Sequence, residues 1–456
     1  MDEPESRSAS LAPEALADPP APPAGPASAG ARREPFAEFM TSDLPRWALV
    51  RHRMDPDEIV DVAAAVAAAL EPQGAAIAPD SRVCLAVGSR GIDRIDEVAR
   101  AAVAWLRAAG HSVFAIPAMG SHGGATPEGQ LEVLASYGIT PRSIGCEIRS
   151  SMDTVQLGEV RPGVPVFVDR NALEGADVIV PINRVKPHTD FSGEIESGLM
   201  KMIAIGLGKQ RGADTFHRQG FAVFHELIPQ VAEFTTSKVN IPFGLALVEN
   251  GHARLWRIEA VPRDRIWDRE RELLAEARAR MARLPLDAID VLVLDYIGKD
   301  ISGLGMDSNV VGRYYDGPTG AGPAIQRIVV RDLTPETEGS AVGIGMADVV
   351  LRRAVGKMDA HKTYMNCITA KTPEGARVAL TADTDREALS VALACCLKVA
   401  PSDARIVRIR DTKHLELMYV SEPALADVLA TGRCEVVKPL AAIAFDRDGM
   451  FGAALE

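Results

Sequence analysis

From residue 82 onward, short apolar runs ending in or near glycine alternate with amphipathic stretches, and this alternation restricts the chain to an α/β fold. Arg82–Gly88 (RVCLAVG) reads as a buried strand, Ile95–Ala109 as a helix, Ser112–Gly120 as a strand, Pro127–Gly138 as a helix and Ala176–Asn183 as a strand. Strands joined by helices make βαβ units and a mainly parallel sheet. Ligands of such sheets gather outside the carboxyl ends of the strands, and the polar clusters of this chain fall there. Upstream, Asp55–Leu70 is expected to be helical, with Asp57 and Glu58 in its first turn.

A further strand is expected in Ile241–Asn250. The stretch DRIWDRERELLAEARARMARL that follows reads as a solvated helix or interdomain connector laced with intrahelical charge pairs. A fresh α/β pattern begins at Ile289–Gly298 and continues through Gln326–Leu333. The expected architecture is therefore two domains with mainly parallel sheets flanked by helices and an active site in the interdomain cleft. An N-terminal domain would take 37–284 and a C-terminal α/β domain 285–456, with the last segment free to return to the first. Residues 1–36, rich in Pro and Ala, cannot bury enough apolar surface to offset chain entropy and are expected to be a disordered tail.

A formal net charge of −12 argues against a general nucleic-acid binder, yet leaves room for a basic pocket that takes a small anion. The six cysteines show neither metal-type nor disulfide-framework spacing, so buried thiols in a reducing cytoplasm are expected, Cys395-Cys396 in an apolar helical run among them. The acidic, polar start MDEPESRSAS is unlike a signal peptide, and no apolar run approaches the roughly 20 residues that span a bilayer, so no membrane partner is expected.

Chemistry concentrates in a few segments. Gly88-Ser89-Arg90-Gly91 follows a strand and offers backbone donors, a hydroxyl and a guanidinium able to fork onto a carboxylate or phosphate; an ordinary strand-to-helix turn is the alternative. Met119-Gly120-Ser121-His122-Gly123-Gly124-Ala125-Thr126 sets a histidine among glycines directly after another strand. Thr126 and Glu128 then open a helix whose N-terminus suits an anion. The densest cluster, Asn183-Arg184-Val185-Lys186-Pro187-His188-Thr189-Asp190-Phe191-Ser192-Gly193, leaves the end of a third strand. Charges of both signs, an imidazole and hydroxyls in one loop suit ligand contact better than a merely solvated turn. Then come Ser197-Gly198-Leu199-Met200-Lys201, the apolar MIAIGLG, Lys209 and finally His217; Lys201 or His217 alone would be unremarkable.

Taken together, His122, His188, Ser-Gly-x-x-Lys201 and His217 resemble the lactate racemase family, enzymes that use a nickel-pincer nucleotide. The resemblance covers residues 80–250 clearly and the C-terminal third loosely. It implies a racemase or epimerase of a 2-hydroxy acid, not necessarily lactate. Lys201 would be joined to the cofactor through a thioamide, and His217 would be the protein's nickel ligand. His122 and His188 would be the acid/base pair on opposite faces of the substrate. Ser89, Arg90, Gly123, Gly124, Thr126, Lys186 and Ser192 would contact the cofactor, with Arg90 and Arg184 also placed to hold a substrate anion. The implied partners are the small-molecule substrate and cofactor-biosynthesis proteins. The chemistry suits these residue types: two imidazoles that titrate near neutrality can exchange acid and base roles, imidazole is a borderline ligand that suits nickel, and a lysine amine can form a covalent link.

Departures from the family pattern point to a substrate other than lactate. Glu194-Ile195-Glu196 lengthens the loop between His188 and Lys201, and the acidic residue that usually precedes the Ser-Arg pair is missing from AVGSR. The family's C-terminal Gln/Lys contact has no clear counterpart. The polar, glycine-rich stretch 295–313 stands in its region, with Lys299 and Asp307 as candidate substrate contacts and Asp300, Asn309 and Arg313 beside them. A set at 357–364, including His361, could join it or be a surface helix end. Two readings compete with the first: the same fold with another metal- or nucleotide-dependent reaction (lyase, hydrolase or oxidoreductase), and a non-catalytic cofactor- or metabolite-binding protein.

Overall fold

The computed structural model describes residues 36–88, 91–315 and 322–455. The expectations for residues 1–35 and for Ser89 and Arg90 thus lie outside the described residues. The chain divides into two units, Met1–Glu38 and Phe39–Glu456. Of the first, only residues 36–38 are described, at the start of the short turn Ala37–Phe39; the strands among the described residues lie in the second.

The architecture is α/β, with two mixed, mainly parallel sheets flanked by helices. From edge to edge, the six-stranded sheet runs Glu147–Ile148, Ser112–Pro117, Arg82–Val87, Val178–Arg184, Phe243–Glu249 and Leu255–Pro262. All its pairings are parallel except the last. Its strands bury both faces. Cys84, Ala86 and Ile179 pack on one side, while Val83, Leu85 and Val180 pack on the other, which is why the sequence shows continuous apolar runs and not alternation.

The eight-stranded sheet runs Leu380–Ala382, Val349–Leu351, Ala324–Leu333, Ala288–Ile297, Ile406–Ile409, Leu417–Ser421, Arg46–His52 and Cys434–Ala442. Its first five strands are parallel and the remainder pair antiparallel. Strand Arg46–His52 comes from near the start of the chain, so this sheet draws on both ends of the sequence.

Several local expectations shift for identifiable reasons. The helix expected from Asp55 begins only at Val62, because extended Asp61 is its N-cap and accepts the Ala64 N–H at 2.9 Å. Upstream, Asp55 accepts the Asp57 N–H, and Pro56 disfavours helical geometry at Asp55. The charged stretch after residue 263 is not solvated all round. Helix Ile266–Arg280 buries Ile266, Glu270, Leu273, Leu274 and Ala277, while Arg269 pairs with Glu259, Glu272 and Glu276. Cys395 and Cys396 follow helix Asp385–Ala394 and are half-buried rather than buried. The antiparallel hairpin of Thr154–Arg161 and Val164–Asp169 was not legible from the sequence pattern.

Candidate functional site

The loop after Val178–Arg184 is pinched at its base by a two-way backbone bridge. Lys186 N–H donates to the Ser197 carbonyl at 2.9 Å, and Ser197 N–H returns to the Lys186 carbonyl at 3.2 Å. Inside it, buried Glu196 accepts the His188 N–H at 2.6 Å and the Gly193 N–H at 2.9 Å, and pairs with Arg278. The acidic insertion is thus the loop's internal scaffold. Gly193 is required by close packing, since a Cβ there would lie 2.7 Å from the His225 Cβ.

Within this loop His188 is 9% exposed. Its Nδ1 accepts the Asp190 N–H at 3.0 Å and lies 3.5 Å from Asp190 Oδ2. Its ring lies 4.3 Å from Phe191 and 6.3 Å from Phe221, centroid to centroid.

A broken helical run follows: an α turn at Leu199–Lys201, a π segment at Met202–Gly206 and α-helix Lys209–Gln219. π segments inside helices often accompany functional sites. Lys201 Nζ lies 5.9 Å from the Phe191 ring, and the His217 ring lies 5.5 Å from Phe221 and 5.8 Å from Phe224. His188, Lys201 and His217 therefore converge on one cluster, in which Phe224 also touches Phe191 and Phe221. Burial, reinforced by the charges of Lys201 and Lys371, pushes His217 down to about 4, so its imidazole is neutral near pH 7. Its Nδ1 is buried without a hydrogen-bond partner.

The His122 turn abuts the same run. Gly120 N–H donates to the Gly206 carbonyl at 3.3 Å, and a Cβ on Gly206 would lie 2.7 Å from the Ala118 oxygen. As expected, Thr126 caps helix Pro127–Ser136, accepting the Gly129 N–H at 3.0 Å. Gly123 and Gly124 both take positive φ (64°), and a Cβ on Gly123 would strike the Gly129 backbone at 2.5 Å.

Beneath this turn lies a buried network that sequence reasoning missed. Lys209, fully buried, pairs with fully buried Asp169 at 3.1 Å and donates to the Pro117 carbonyl and to Gln130 Oε1. Gln130 Nε2 in turn donates to the carbonyls of Gly120 and His122 at 2.9 and 3.3 Å. Burial pulls the Lys209 amine below its ordinary value, with Asp169 opposing. A lysine after an apolar run carries no sequence mark of such a role.

The eight-stranded sheet reaches the His188 loop through the segment after Ala288–Ile297. Lys186 Nζ meets Asp307 Oδ2 at 2.7 Å, and Asn309 Nδ2 donates to the His188 carbonyl at 3.0 Å. Burial works to raise the Asp307 carboxyl, but Lys186 and Asn309 outweigh it and hold it below its ordinary value. Other candidates have partners of their own. Arg184 pairs with Glu249, Lys299 Nζ donates to Asn366 at 2.8 Å, and Arg313 pairs with Asp348. Ser192 is exposed. Gly88 touches the site, since a Cβ there would lie 2.8 Å from Met202 Cε and 2.9 Å from Asn183 Oδ1.

Among the described residues, no group of three or more His, Cys, Asp or Glu side chains could hold a metal ion. A metal at His217 would need most of its donors from a bound group. Also among the described residues, no helix is long and apolar enough to cross a membrane.

No protein-family model matches the chain, and no curated protein matches it. Among solved structures, it is similar to the lactate racemase apoprotein from Thermoanaerobacterium thermosaccharolyticum. Identity is 13% and the TM-score 0.46, over 81% of this chain and 99% of that one.

Proposed function

We propose that the protein is a racemase or epimerase of a 2-hydroxy acid that works with a nickel-pincer nucleotide. The observation that carries this reading is the convergence of His188, Lys201 and His217 on the Phe191, Phe221 and Phe224 cluster.

The residues fit the cofactor's demands. His217 has a neutral imidazole with a buried nitrogen that lacks a hydrogen-bond partner, which suits a nickel ligand. Lys201, on the same helical run, carries the amine for covalent attachment. Lys209 is unsuited to that role, because Asp169, Pro117 and Gln130 hold its amine. When bound, the group supplies the acceptor and donor for the hydrogen on the substrate's C2.

The chain's own residues handle the hydroxyl proton. One of His122 and His188 takes it and the other returns it, and the roles exchange when the configuration inverts. The histidine that takes the hydroxyl proton becomes an imidazolium and the one that returns it does so as an imidazolium, with His188 using Nε2 because its Nδ1 faces the Asp190 amide. The Gly123-Gly124-Thr126 turn would hold an anionic part of the cofactor, a role the sequence also offers for Ser89 and Arg90. Lys186 and Asp307 close the two strand-end loops over the substrate, while Phe191 and Phe221 exclude water.

The test is intact-protein mass spectrometry with metal analysis on protein co-produced with the cofactor-making enzymes. An added mass that maps to Lys201 and is lost in Lys201→Ala, with nickel lost in His217→Ala, is the expected result. Neither adduct nor nickel under these conditions would sink the reading.

A further inference from the structure

Helix Ile266–Arg280 reads as charged surface, yet its Glu270 is 1% exposed and makes no ion pair among the described residues. Its Oε2 accepts the Met200 N–H at 3.0 Å, the Leu199 amide also favours its charged form, and its Oε1 is buried without a hydrogen-bond partner. The two amides are the first of the turn that carries Lys201. The residue before them is Gly198, where a Cβ would lie 2.2 Å from Glu270 Oε1 and 2.4 Å from its Cδ. Only glycine lets the carboxylate come this close. From another direction Asn183 Nδ2 donates to the Gly198 carbonyl at 2.7 Å, so the peptide entering the turn is gripped on both sides.

An unpaired buried carboxylate is costly, and burial pushes Glu270 up to about 7 although two amides oppose the shift. An apolar residue of similar volume would fill the site at lower cost. Its position against Gly198 and the Lys201 turn supplies the reason for keeping it.

We propose that Glu270 is a positioning residue for Lys201, pinning the Met200 amide while it packs against Gly198 and so fixing where the Lys201 amine stands relative to Phe191 and His217. Its purpose rests on the reading of Lys201 as the attachment residue; its effect on the amine does not. The Gly198-x-x-Lys201 spacing then has a local cause, since the glycine admits the carboxylate that orients the turn ending at the lysine.

The test uses the full chain without cofactor and trace acetylation by acetic anhydride, read by peptide mass spectrometry as the rate at Lys201 relative to exposed Lys238. Glu270→Met keeps the volume and removes the acceptor. It should change the relative Lys201 rate about tenfold, as expected for loss of charge-assisted hydrogen bonds, without lowering the melting temperature. Glu270→Gln keeps an acceptor oxygen and should restore most of the wild-type rate. Gly198→Ala should shift the rate as Glu270→Met does, and the double variant should show no further shift. An unchanged Lys201 rate in both Glu270→Met and Gly198→Ala, or strictly additive effects, would overturn the proposal. A shifted rate in a protein whose loaded form carries no mass on Lys201 would leave the positioning role standing and remove the functional reading. An adduct with an unmoved rate would do the reverse.

Discussion

Lys186 Nζ lies 2.7 Å from Asp307 Oδ2 and ties the His188 loop of the six-stranded sheet to the strand-end segment of the eight-stranded one. Asp307 is almost fully buried and Lys186 about one-third exposed. Lys186→Met strands a buried carboxylate and should cost about 2–3 kcal/mol, less than a fully buried pair because water screens the lysine. Lys186→Met/Asp307→Asn should recover most of that loss. Urea denaturation checks both, and equal stabilities for Lys186→Met and wild type would show that the contact contributes nothing.

The pH dependence of stability follows from Glu270. Its folded pKa of about 7 stands above the ordinary 4.5, so the folded state binds more protons between those values. The contribution is fully present below 4.5 and is lost as pH rises through 7, a fall of about 3 kcal/mol for a shift of this size. Glu270→Gln should flatten the decline. Denaturation midpoints from pH 4.5 to 8 decide it, and parallel curves for the two proteins would rule out the shift.

The sequence revealed the six-stranded sheet well, because strands such as Arg82–Val87 and Val178–Arg184 are buried on both faces and leave unbroken apolar runs. It revealed the eight-stranded sheet less completely. Arg46–His52 finds its neighbours more than three hundred residues away, and pattern is blind to such pairing. At the candidate site, His188, Lys201 and His217 stood out in the sequence and come together around Phe191, Phe221 and Phe224. The residues that hold the site's loops did not stand out: Glu196, Lys209 and Glu270 look like surface charges, and only tertiary packing buries them. A hydrophobic pattern records which side chains avoid water, whereas these are drawn inside by backbone amides and carbonyls that the pattern does not show.

Lys209 offers a sharp test of that point. Lys209→Met leaves Asp169 buried without its cation and should destabilise the protein by about 3–5 kcal/mol. It also frees Gln130 Oε1, so amide exchange around Gly120 and His122 should quicken in the native state. Lys209→Met/Asp169→Asn should regain stability while the faster exchange persists. Wild-type exchange at that turn in the single variant would show that the network does not order the His122 segment.

The last prediction concerns the far end of the chain. Arg331 bonds Asp385 and Asp295, and Arg408 bonds Asp295, inside the eight-stranded sheet. The C-terminal segment completes this set. Phe451 N–H donates to Asp385 at 2.8 Å, Leu455 N–H donates to Asp295 at 2.9 Å, and the Ala453 carbonyl accepts from Arg408 at 2.8 Å. The Phe451 ring lies under both guanidinium groups, 5.3 and 5.0 Å from them. Removing residues 451–456 would open the buried charges to water and withdraw these partners, a loss of about 3 kcal/mol or more. Thermal melting should show it, with Phe451→Leu giving a smaller drop because the backbone donors remain. A truncated chain that melts with the wild type would mean that the charge network holds the sheet without its terminal segment.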